Sequence, residues 1–428
     1  MKQLKNIAKN FFKSPVVVIF MIVAIFMLPT AINTTSIAFR SAIAVAVGID
    51  LNDSADVELS VAINISSSSE SMVENSKVIS STGKTLSEAF ANLNTLFGRS
   101  IRLGHTRFVI IGDKISKSNV IKQLDRLIRT DKMRSTVQLV YCPDSISEIF
   151  DVGMQLKSST SIKLSNIVCH QQADSTTSLN SNIDAFYKGY FRPSGISKLN
   201  MVSISEKFTE GISASSNSGA SSGGEGSKDS GGGESSAGGT SNVSSDVSGK
   251  FISNRGNIAI YENGTLKTVL TDEQSTGVNW LSVDYNPKDL FVSVGQTKLF
   301  SSATIGFDIL NKNVDFETFF YKGIPFVCAN ILLTLDIDEI ITSEGKNVDV
   351  NEDVVDDLIK SEIGRTIRGQ IANICQLSKE SKLDLFELNN IFYQNNYKDY
   401  QNYLSQGHSK QDIIENTQLS ADIEIKII

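Results

Sequence analysis

From Ile212 to Gly249 the chain is mostly serine and glycine, with a few scattered acidic residues. Such a stretch cannot bury enough apolar area to offset the entropy of ordering it, so residues 206–250 are read as a disordered linker. A chain of 428 residues is thereby split into two regions that each need a core, 36–205 and 251–428. Two readings of the segment stay open. It is a tether with an r.m.s. span of roughly 35 Å that lets two domains move, or a surface-loop insertion, whose closure entropy grows only slowly with length.

Ahead of the segment the pattern switches between strand and helix periods. Ala42–Asp50 reads as a strand and Val57–Ile65, apolar at every second residue, as its hairpin partner. Ser66–Ser71 is a polar loop. Leu86, Ala89, Phe90, Leu93 and Phe97 recur at spacings of three and four, which predicts a helix with one apolar face. Thr85 is its N-cap, Glu88 completes a capping box, and Gly98 stops it. Phe108–Ile111 is a short continuous apolar run, which suits a strand covered on both faces. Ile121, Leu124, Leu127 and Ile128 predict a second helix, and Val137, Leu139 and Tyr141 another strand. That order implies a crossover and a mixed or parallel sheet. Ser145–Leu156 is read as helical, and Ser158–Ser181 takes no assignment.

Behind the segment, strands are read at Asn257–Tyr261, Gly264–Leu270, Leu290–Leu299, Ala303–Leu310 and Phe326–Ile337. Asn351–Gln376 is the strongest helix, with Ile359, Ile363, Ile367, Ile371 and Ile374 on one face and Asn351 as its cap. A further helix is read at Phe386–Leu404, and an alternating strand closes the chain from Leu419. The fold class expected is α/β and α+β: a mixed-sheet N-terminal region of one or two modules, then a C-terminal α+β domain with a long helix against an antiparallel sheet.

Lys2, Lys5, Lys9 and Lys13 precede an uncharged apolar run, Pro15–Ile32. At about 1.5 Å per residue this run spans roughly 27 Å, close to a bilayer core. Lysines on its N-terminal side predict a single-pass anchor with a cytoplasmic tip and extracytoplasmic domains. A cleaved signal peptide is the competing reading.

The net charge of −7 and the expected lack of a basic patch argue against a nucleic-acid partner. The cysteines at 142, 169, 328 and 375 have no C-x-x-C spacing, so neither zinc nor a redox pair is expected; a Cys142–Cys169 disulfide stays open. His105 follows Gly104 just before a strand, and a turn hydrogen bond explains it better than a general base. His170 and His408 are isolated. Asp336, Asp338 and Glu339 read as a solvated strand end rather than a calcium loop. Trp280 reads as core. No catalytic, cofactor or metal site is assigned.

Several blocks in one order resemble the GerC-type (GerAC-like) subunit of spore germinant receptors. They are Val47-Gly48-Ile49-Asp50; Gly83-Lys84-Thr85-Leu86, Ala89, Gly98-Arg99, Gly104-His105, Ile110-Ile111-Gly112, Arg129, Asp131 and Arg134; Asp184-Ala185-Phe186 with Pro193-Ser194-Gly195; Ala259-Ile260-Tyr261, Leu266, Asp272-Glu273, Thr276-Gly277 and Trp280-Leu281; and Asp384-Leu385-Phe386. The resemblance implies a non-enzymatic subunit on the outer face of the spore inner membrane, acting with A-type and B-type receptor subunits. It also implies a soluble part of three α/β modules. Gly83, Gly104, His105, Asp131, Arg134, Glu273 and Trp280 are its candidate signature or contact residues. Relatives carry an acylated cysteine after the signal peptide; no cysteine precedes Cys142 here, so the Pro15–Ile32 helix would stand in for the lipid. Two alternatives stay open: an extracytoplasmic structural module of another envelope assembly, and a hydrolase with His105 as its base.

Overall fold

The computed structural model describes residues 41–65, 75–131, 133–155, 179, 181–205, 251–253, 256–283, 285, 287–295, 302–342 and 357–428. The Pro15–Ile32 run, the Ser/Gly segment, Cys169, His170 and Asn351 lie outside them. Among the described residues, no helix is long and apolar enough to cross a membrane.

The first lobe is built on strands β1 (Ser41–Leu51), β2 (Val57–Ile65), β3 (Asn75–Gly83), β4 (Ser100–Arg102), β5 (Phe108–Gly112), β6 (Gln138–Cys142), β7 (Ile196–Met201), β10 (Ile258–Glu262) and β11 (Thr265–Leu270). They form one nine-stranded sheet in the order β11-β10-β7-β6-β5-β1-β2-β3, with β4 beside β1. The centre, β1 to β7, is parallel, and the flanks are antiparallel. Helices α1 (Leu86–Phe97), α3 (Ile121–Asp131) and α5 (Ile183–Phe191) supply the crossovers and cover one face, packing Leu93, Leu124 and Phe186 onto Val47, Val109 and Leu139. Helix α4 (Ile146–Gln155) covers part of the other face through Ile149 and Phe150. Both faces of β5 are therefore buried, as its unbroken apolar run implied.

Local chemistry sets the ends of α1. The Thr85 side chain accepts from the Glu88 N–H, and Gly98 closes the helix in the left-handed region at φ 68°. The Glu88 carboxylate accepts from the N–H of Lys84 rather than Thr85, so the expected capping box is displaced by one residue.

The strands after the Ser/Gly segment, read above as opening the C-terminal region, join the first sheet instead: β10 pairs β7 across Ile258↔Asn200 to Glu262↔Ile196. The segment's flanks also meet, as β8 (Ser203–Ser205) and β9 (Phe251–Ser253) form an antiparallel pair. The chain thus leaves and re-enters the same lobe, which is the insertion geometry rather than the tether. Strand β3 and helix α5 have no counterpart in the sequence reading; β3 is rich in Ser and Thr, and its pairing to β2 decides its state.

The second lobe is a four-stranded sheet, β12 (Asp289–Val294), β13 (Ala303–Tyr321), β14 (Ile324–Thr342) and β15 (Gln418–Ile427), in that order. Strands β13 and β14 are a long hairpin, each of 19 residues, and β15 runs parallel to β14. Helix α7 (Asp357–Ser381) packs on it with its isoleucine face inward, and α6 (Asp272–Asn279) packs on α7, Gly277 lying against Ile374. The helix expected at Phe386–Leu404 is two, α8 (Leu388–Asn395) and α9 (Tyr397–Ser405), broken at Asn396, whose φ and ψ of −145° and 58° are not helical. Helix α10 (Lys410–Asn416) follows. Ile196, Ile258 and Ile260 of the first sheet belong to the same core as Trp280, Ile374 and Phe392, so the lobes share a continuous apolar interior.

Candidate functional site

The seven signature residues do not converge on one point. Gly83 ends β3 beside α1; a Cβ there would stand 2.5 Å from the Ala89 nitrogen, so only glycine permits that approach. Glu273 is exposed in the first turn of α6, at the positive end of the helix dipole. Trp280 is 1% exposed and its indole N–H donates to Gln370 Oε1 at 2.6 Å, so it is core, as expected.

The other four do gather. Gly104 and His105 lie on the turn before β5, where the Thr106 N–H donates to the Leu103 carbonyl. Asp131 is the last residue of α3, and Arg134 forms the turn before β6, its carbonyl accepting from Val137. Strands β5 and β6 are parallel neighbours with Phe108 opposite Gln138, so both turns stand at the same edge of the sheet, where the parallel strands begin. Strand β4 brings Arg102 to the same edge beside Ile43 of β1, and the Arg107 N–H donates to the Val45 carbonyl. His105, Arg99, Arg102, Arg107 and Arg134 are all exposed. The sequence showed no basic run; parallel topology assembles a basic edge from arginines spread between 99 and 134.

A second charged site, which the sequence reading missed, lies in the seam between the lobes. Glu387 precedes α8 and accepts from Arg192 Nη1 at 2.8 Å and Lys198 Nζ at 3.0 Å, both from the first lobe. Burial would push its carboxyl up, but Lys198 and Arg192 together outweigh that and hold it below the ordinary range. Its backbone sits at φ 58°, a left-handed conformation that costs a non-glycine residue about 1 kcal/mol. Beside it is a cavity of about 310 Å³ lined by Arg192, Lys198, Phe386, Glu387 and Asn390. The neighbouring Asp384 is buried, and its carboxylate accepts from the N–H groups of Leu388 and Asn389 at 2.6 and 2.9 Å and from Asn389 Nδ2 at 3.0 Å. This caps α8 and explains the acid in the Asp384-Leu385-Phe386 block.

Two other groups with perturbed titration are accounted for by structure. Lys312 is turned inward by a bulge between Ile309 and Asn311, and its ammonium donates to the carbonyls of Asn279 and Ser282 at 2.8 and 2.6 Å. Burial pushes its pKa down to about 7. Cys142 is a buried free thiol, and burial pushes it up to about 12, away from reactivity; its expected partner Cys169 lies outside the described residues. His408 stacks on Tyr403 with ring centroids 4.0 Å apart. Asp336 and Asp338 are exposed on β14, and among the described residues no group of three or more His, Cys, Asp or Glu could hold a metal.

Residues 40–204 match the family model described as spore germination protein N-terminal domain, and residues 256–428 match spore germination B3/GerAC-like, C-terminal. No curated protein matches the chain in sequence. The crystal structure of the GerBC protein is similar, with 13% identity, 89% of this chain and 96% of that chain covered, and a TM-score of 0.50. At that identity the likeness is one of fold.

Proposed function

The chain belongs to the GerAC-like family of spore germination proteins, and from that premise we propose that it is a membrane-anchored, non-enzymatic subunit of a spore nutrient-germinant receptor. The observation that carries this reading is the match of residues 40–204 and 256–428 to the two spore-germination domain models. Gly104, His105, Asp131 and Arg134 meet at one end of the first sheet rather than in a reactive cluster. His105 stands in solvent there and reads as part of a surface rather than as a general base. The partners in this reading are the A-type and B-type receptor subunits. The Pro15–Ile32 run anchors the chain with both lobes outside the cytoplasm, at the spore inner membrane.

A strain lacking this chain tests the reading. Spore formation should proceed normally while the response to particular nutrients is lost and the response to others is kept. Normal germination across a broad nutrient panel would contradict it. Alkaline carbonate extraction tests the anchor separately: the chain should stay with the membrane pellet, and its release into the supernatant would overturn a spanning segment.

A further inference from the structure

We propose that the N-terminal edge of the first sheet lies on the membrane itself, as a docking face for anionic phospholipid headgroups. This rests on the anchored reading above and specifies which face of the protein the anchor holds against the bilayer. Arg99, Arg102, Arg107 and Arg134 are exposed at this edge, and none forms an ion pair among the described residues. The nearby carboxylate of Asp184, at the start of α5, is engaged by Lys188 at 2.7 Å. Asp131 ends α3 at the same edge, and four arginines against it leave the edge basic on a chain whose net charge is −7.

Two apolar side chains are exposed at this end of the lobe. Ile43 of β1 is 45% exposed and paired with Arg102, and Leu96 is 71% exposed in the last turn of α1 on its β3 side, while the Arg99 guanidinium lies 5.9 Å over the Phe97 ring. Cations interleaved with exposed aliphatic groups suit a headgroup layer, in which phosphates meet the guanidinium groups and the aliphatic tips reach the acyl boundary. An acidic protein partner is the rival occupant, and the labelling experiment below separates it from lipid.

Chain geometry points the same way. Strand β1 begins at Ser41 on this edge, paired with Ser100. Only residues 33–40 separate it from the end of the apolar run at Ile32. Eight residues reach at most about 30 Å when fully extended. An anchored chain therefore keeps this edge within about 30 Å of the end of the apolar run, which lets it reach the headgroups, while Asp53 and Lys114 stand at the other end of the parallel strands. Each arginine near an anionic surface raises the local partition about fivefold, and salt weakens the effect.

The full chain, carrying a photoreactive benzoylphenylalanine at position 96 or position 53, is reconstituted into nanodiscs of phosphatidylcholine alone or with phosphatidylglycerol. Lipid adducts are then counted by mass spectrometry. Expected is an adduct at 96 that exceeds that at 53 by about tenfold in anionic discs. It should fall several-fold in neutral discs, in high salt and in the R99Q/R102Q/R107Q/R134Q variant. Equal labelling at the two positions, or labelling at 96 indifferent to lipid charge, would overturn the proposal. So would labelling in spore membranes that goes to a protein rather than to lipid. Should carbonate release the chain, the anchor fails while the face remains testable: the released chain should still sediment with phosphatidylglycerol vesicles and not with phosphatidylcholine, and failure to do so would sink the face as well.

Discussion

In the seam between the lobes, Glu387 is enclosed and answered by Arg192 and Lys198. At the N-terminal edge of the first sheet, Arg102, Arg107 and Arg134 stand in solvent with no ion pair among the described residues. A buried charge must find its partner inside the fold, because leaving it unpaired costs several kcal/mol. An exposed charge carries no such penalty, and its removal is felt only when something outside the chain is bound. The seam therefore reads as a device that fixes one lobe against the other. The edge reads as a surface held ready for a partner.

The largest effect should come from the seam's supporting carboxylate. Asp384→Ala leaves the N–H groups of Leu388 and Asn389 and the Asn389 amide without their acceptor in a buried site, and should cost about 3 kcal/mol in urea unfolding. A loss below about 1 kcal/mol would show that water replaces the cap. Next comes Glu387→Gln, expected to cost about 2 kcal/mol by leaving two cations half-answered. The sign with pH follows from its depressed carboxyl. The stabilisation is fully present above the unfolded value of about 4.3 and is lost as pH falls through the lower folded value. The glutamine variant should therefore show a flatter acid limb than the parent, and parallel limbs would break the seam account.

Lys312 is burdened by burial where Glu387 is favoured by its partners, yet its slope with pH has the same sign. Its folded pKa of about 7 lies below the unfolded value of about 10.4, so the unfolded chain binds the extra proton between them and stability should rise with pH across that window. Lys312→Met should remove the rise. If the parent shows no rise, the three carbonyls facing the ammonium keep it charged in spite of burial. The smallest effect belongs to the edge: Arg102→Gln, Arg107→Gln and His105→Ala should each stay within about 0.5 kcal/mol of the parent, and a larger loss would move those residues from surface to scaffold.

The elements were legible where periodicity was strong. The α1 face, the doubly buried β5 and the alternation of β15 all stood in the sequence. What was not legible was long-range pairing. Nothing local says that Ile258–Glu262 adds to a strand some sixty residues earlier across a Ser/Gly excursion, or that a bulge turns Lys312 inward. The basic edge escaped notice for the same reason, since Arg99, Arg107 and Arg134 become neighbours only through parallel crossovers. Glu387 gave a weaker signal still: its left-handed backbone and its partners at 192 and 198 exist only once the lobes are docked. Asp384 was visible as part of a family block, and the cap it forms supplies the physical reason.

The most direct test of the contrast is the R99Q/R102Q/R107Q/R134Q variant in spores whose own copy is deleted. The account predicts that the variant accumulates to the parent's level and unfolds within about 1 kcal/mol of it, while the nutrient response is lost. Full germination with the variant, or a loss of response matched by a loss of folded protein, would contradict it.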